Sequence, residues 1–213
     1  MKLTGNLKEP EKIQASFAAL KLPLSGGYEQ GYADGKAQAV KELPEGYIKI
    51  DPSWTNLSNL CSNRASLAEN LKYSDTANGR LFNNMFASCP AKRIPSLDLR
   101  KATNVYGLFV SCSAEEIGEL DISSITSEPA MRDMFKNCNY LKKVCFVPGC
   151  IKFDISFVHC SKLEDSAVQS IIDGLADLTG QTAQTLTLHP TVGARLTAEQ
   201  KAAIAAKNWS VVY

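Results

Sequence analysis

The feature that most limits what this chain can fold into is an internal repeat. Four segments align without gaps: NNMFASC ending at Cys89, YGLFVSC at Cys112, RDMFKNC at Cys138 and DISFVHC at Cys160. These Cys stand 23, 26 and 22 residues apart, and a degenerate copy, LSNLCSNR, puts Arg64 in the Cys position 25 residues before Cys89. Units this short cannot bury an apolar face alone, so they must stack on one another.

Positions are numbered backwards from the Cys of each unit. Position −7 holds Leu57, Phe82, Val105, Met131 and Phe153; position −4 holds Leu60, Met85, Leu108, Met134 and, as the exception, Ser156. Position −3 holds Cys61, Phe86, Phe109, Phe135 and Phe157. Offsets of −7, −4, −3 and 0 trace one face of a two-turn helix, so the spacing predicts a short amphipathic helix in every unit. A period of two follows in Leu97-Asp98-Leu99, Leu120-Asp121-Ile122, Val144-Cys145-Phe146 and Leu186-Thr187-Leu188, which predicts a short strand per unit. The expected architecture is an α/β repeat, a leucine-rich-repeat solenoid of short helix plus short strand. Asp98 and Asp121 would then stand in line on the outer face of adjacent strands, a candidate binding face.

In that frame Cys89, Cys112, Cys138 and Cys160 form a buried column of small apolar side chains. The seven Cys are odd in number and miss the paired spacing of zinc sites, which argues against a disulfide framework or a metal centre. Cys145 and Cys150 are left open, because Cys145 falls at an outward strand position.

LDISSITSEPAMRDMFKNCNYL resembles the repeat of BspA-type bacterial leucine-rich-repeat surface proteins, in which L-D-[LI] and MF-x-x-C recur. The likeness covers roughly residues 54–165 and implies a non-catalytic interaction surface.

The ends differ from the repeat. Residues 166–213 read as a cap: a helix over 166–178, a TLTL strand, a helix over 198–207 with Thr197 as N-cap and Gln200 completing a capping box, and a last strand over 209–213. Residues 1–47 read as an extension ahead of a repeat domain spanning 48–213. Within it Gly27, Gly31 and Gly35 recur every four residues, with Tyr28 and Tyr32 beside them. On a helix they would form a smooth stripe for close contact with a partner or a second copy; the other reading is a Gly-rich linker or a helix lying on its own repeats. The YEQGYADGK phrase resembles N-terminal segments of phage and prophage structural proteins.

Chemistry is sparse. The two His, His159 and His189, have no nucleophile facing them in the expected arrangement, because adjacent helical residues such as His159 and Cys160 point about 100° apart. No Walker, Rossmann, GxSxG or HExxH motif is present, and no cofactor or metal is implied. A net charge of +1 without basic–aromatic clusters offers no footprint for nucleic acid. No apolar run suits a signal peptide or a membrane span, so folding in a cytoplasm is expected. With these absences, the resemblance of the N-terminal segment implies a bacteriophage virion component (fibre, spike or decoration subunit), assembled in the bacterial cytoplasm, with other virion proteins, itself, a host surface protein or a glycan as partners. The alternative is a BspA-like adhesin on a bacterial surface. A hydrolase grafted on a repeat is the weakest reading.

Overall fold

The computed structural model describes residues 50–213 apart from 52, 66, 67, 69, 70 and 72–75. The extension over 1–47, including the stripe of Gly27, Tyr28, Gly31, Tyr32 and Gly35, lies outside the described residues.

The MF-x-x-C segments are not helices. Each is a run of overlapping turns in which backbone donors alternate between two uses. In the second unit, Met85, Ala87 and Cys89 donate back to Phe82, Asn84 and Phe86 at 3.0–3.1 Å. Between them Phe82, Asn84, Phe86 and Ser88 donate forward to Asn104, Tyr106, Leu108 and Val110 of the next unit, each at 2.9 Å. The same four positions bond forward in the first unit (Leu57, Asn59, Cys61, Asn63) and in the third (Val105, Gly107, Phe109, Ser111). A helix would close these bonds on itself and leave nothing for its neighbours.

The reason lies at positions −5 and −1. Asn59 and Asn63, Asn84 and Ser88, Gly107 and Ser111, and Asp133 and Asn137 all have φ between 51° and 60°. This left-handed conformation costs most L-residues about 1–2 kcal/mol and is best tolerated by Gly, Asn and Asp. Two such residues, four apart, keep positions −7, −4, −3 and 0 inward while breaking the helical path. The apolar spacing is therefore helical and the backbone is not.

The copy ending at Cys160 departs again. Its Ile155–Phe157 is a strand, with Ile155 and Phe157 buried and Ser156 exposed. Position −5 is now Ile155, a β-branched residue that resists positive φ and favours extended backbone.

On the other side of the stack, three parallel strands run in chain order: β1 (Arg93–Ile94), β2 (Glu116–Leu120) and β3 (Lys143–Phe146). The register joins Arg93 to Glu116 to Lys143, and Ile94 to Ile117 to Val144. A bulge sits at Gly118, where a side chain would run into the backbone of Ser96. The first expected strand is displaced: Leu97 makes one bridge, to Leu120, and β1 precedes it. β2 ends at Leu120, so Asp121 and Ile122 follow it rather than continue it.

The C-terminal part comprises β4 (Ile155–Phe157), α1 (Asp165–Gly174), β5 (Gln184–Leu188), α2 (Pro190–Gly193), α3 (Ala198–Ala206) and β6 (Trp209–Val212). Strands β4, β5 and β6 form a second parallel sheet in that order. Helix α1 stops at Gly174 rather than 178, because Leu175 turns extended and bridges Ile151. The capping box of α3 forms, Thr197 Oγ1 accepting from Gln200 N–H and Gln200 Oε1 from Thr197 N–H. Lys207, at its end, donates to the carbonyls of Ile172, Asp173 and Leu175, the last acceptors at the C-terminus of α1.

Two columns run through the core. Phe86, Phe109, Phe135 and Phe157 stack with centroids 5.4, 5.4 and 4.7 Å apart, and Phe146 meets Phe135 and Phe157 edge-on. Beside them Cys89, Cys112, Cys138 and Cys160 are all buried. Each thiol points to a carbonyl of the preceding unit: Arg64 at 3.3 Å, Cys89 at 3.4 Å, Phe109 at 2.9 Å and Phe135 at 3.9 Å.

Candidate contact surface

The two long sides of the stack carry different chemistry. Outside β1–β3, charges alternate in sign from unit to unit. Glu115 holds Lys92 at 3.5 Å and Lys142 at 2.7 Å; Glu116 holds Arg93 at 3.0 Å and Lys143 at 3.6 Å. The Lys142 ammonium keeps the Glu115 carboxyl below its ordinary range. Each exposed pair contributes little to stability, but together they favour this register and leave few charges for a ligand.

Asp98 and Asp121 follow the strands in equivalent turns. Asp98 accepts from the backbone N–H of Arg100 at 3.1 Å, and its carboxylate pairs with the guanidinium at 2.6 and 3.0 Å. That contact lowers its pKa. Asp121 accepts from Ser123 N–H at 3.0 Å. Both lie in corresponding places just past the strands rather than on them, and each side chain closes its own turn, as Asp and Asn commonly do. Among the described residues no group of three or more His, Cys, Asp or Glu could hold a metal ion.

The thiols are not poised for chemistry. Burial pushes Cys138 up to about 12 and Cys150 to about 11, and raises Cys61 and Cys160 as well. The Cys89 side chain, and then burial, raise Cys112. These groups stay protonated at neutral pH, whereas a nucleophile or metal ligand needs the thiolate. Cys150 joins the buried set, and Cys145 is exposed on β3. His159 is exposed beside the buried Cys160, and His189 caps α2 by accepting from Thr191 N–H at 3.2 Å.

The turn side is different. In its first three units the outward positions carry mainly short uncharged side chains, Asn59, Ser62, Asn63, Asn84, Ser88 and Ser111 among them, while the fourth exposes Arg132 and Lys136, paired with Glu128 and Asp133. Leu81, Tyr106 and Val158 also reach solvent, each 38–39% exposed. Tyr140 is exposed too, with Lys92 and Lys162 over its ring at 5.4 and 4.7 Å. Sequence reasoning missed it. By the strand register the buried Leu141 takes the place of Ala91 and Ala114, so Tyr140 is an extra residue before it in the longer fourth unit.

Among the described residues no helix is long and apolar enough to cross a membrane. No family model, no curated protein and no solved structure matches the chain.

Proposed function

We propose that the protein is a non-enzymatic leucine-rich-repeat solenoid of the BspA-like kind, and that it serves as a bacteriophage virion component, a fibre, spike or decoration subunit. The observation that carries the contact role is the asymmetry of the stack. One side is lined by paired charges, and the first three turn units on the other expose Leu81 and Tyr106 among uncharged amides and hydroxyls, charge returning only in the fourth with the Arg132–Glu128 and Lys136–Asp133 pairs. A surface with a few apolar and aromatic anchors in a polar surround is suited to binding a protein or glycan. The virion assignment draws on the likeness of the YEQGYADGK segment to phage structural proteins. The MF-x-x-C repeat favours a second reading, a bacterial surface adhesin.

Mass spectrometry of particles purified from lysed source cells separates the two. The virion reading expects this chain in the particle fraction, in a fixed ratio to other structural proteins. Its recovery in the cell-surface fraction, with none in particles, would replace that reading with the adhesin.

A further inference from the structure

On the turn side, the forward hydrogen bonds stop at one place. The first three units each send four backbone bonds to the next, and the fourth, residues 131–138, sends none to residues 155–160. Its donors at the same positions, Asp133, Phe135 and Asn137, have no hydrogen-bond acceptor among the described residues, although Phe135 is fully buried. Buried backbone donors are rarely left in this state. The thiol contact weakens at the same step, from 2.9 Å at Cys138 to 3.9 Å at Cys160. Here too the left-handed residues give way to strand β4, and one hydrogen-bonded ladder ends where another begins.

The opposite side of this junction is firmly tied. Phe146 N–H donates to Ser170 Oγ at 2.9 Å, Gly149 N–H to Asp173 O at 3.1 Å and Ile151 N–H to Gly174 O at 2.8 Å. Glu164 N–H donates to Lys142 O at 2.9 Å. Across the core itself the aromatic bridges among the described residues are Phe135 on Phe157 and the edge contacts of Phe146.

We infer that the stack is jointed between its fourth turn unit and β4, with the β3–α1 contact as the pivot and the turn side as the side that opens. Apart from the long Cys160 Sγ–Phe135 O contact, apolar packing holds the opening side, and it separates without breaking a hydrogen-bonded ladder. The C-terminal ladder therefore opens as a unit at lower free energy than global unfolding, which changes the curvature of the turn face. This inference stands on the ladder geometry and is independent of the functional reading above.

The test uses the full chain, a small methanethiosulfonate reagent and site-resolved mass spectrometry at several urea concentrations below the unfolding transition. Cys160, whose thiol faces the joint, is expected to label about tenfold or more faster than Cys112 inside the turn ladder, with a shallower urea dependence. Exposed Cys145 marks the unprotected rate. Phe157→Leu should quicken Cys160 further and leave Cys112 unchanged. Equal rates and equal urea slopes for Cys160 and Cys112, or equal acceleration of both by Phe157→Leu, would overturn the joint.

Discussion

Replacing Phe109 with Ala is expected to lower the free energy of unfolding by about 3–5 kcal/mol, the usual cost of removing a fully buried aromatic ring. Phe109 has no exposed surface and stacks on Phe86 below and Phe135 above, each at 5.4 Å. Its loss opens a cavity bounded by two units, and neither can close it without giving up the backbone bonds that fix their spacing. Relaxation is therefore small and the cost sits high in the range. Phe109→Leu, which refills much of the volume, should lose far less. Denaturation followed by circular dichroism gives both values, and a Phe109→Ala loss under 1 kcal/mol would mean that the column is not packed as described.

Deleting residues 197–213 should have a still broader effect. It removes α3 and β6, and with them the indole bond from Trp209 to Ala176 O at 2.9 Å and the three Lys207 bonds to the end of α1. It also strips β5 of its outer neighbour, with which it pairs from Gln184 to Thr187. An open end of apolar core next to an unpaired parallel strand invites self-association. The truncated chain is expected to aggregate or to lose its cooperative transition. A monomeric truncation with an unchanged midpoint would show that the core closes without this cap.

The stacking of units was legible because the inward positions repeat without gaps: every Phe at −3 from Phe86 to Phe157 lies in one column. The start of α3 was legible through local chemistry, since Thr197 and Gln200 encode a helix start on their own. The backbone of the turn segments was not read. Positions −7, −4, −3 and 0 point inward in a helix and in a turn ladder alike, so hydrophobic spacing cannot separate the two. The deciding signal was the second pattern, Asn, Asp, Ser or Gly at −5 and −1, and its replacement by Ile155 and His159 marks where the turns give way to a strand. Asp98 and Asp121 were expected on the strands, and lie just past them, for a related reason. Alternation of Leu and Asp describes which side chains point inward, and it is blind to a carboxylate that ends the strand by capping the next turn.

Backbone amide exchange over Phe82–Met85, read residue by residue by NMR, tests the central architecture most directly. A helix beginning at Phe82 would leave its first four N–H groups without intrahelical acceptors, and all four would exchange quickly. In the stacked turn ladder Phe82 and Asn84 donate to the next unit, Met85 donates back to Phe82, and Asn83 N–H has no acceptor among the described residues. The account predicts strong protection at Phe82, Asn84 and Met85 with fast exchange at Asn83, repeated as protection of Val105 and Gly107 one unit on. Fast exchange at all four residues from Phe82 to Met85, with protection starting only at Phe86, would contradict it.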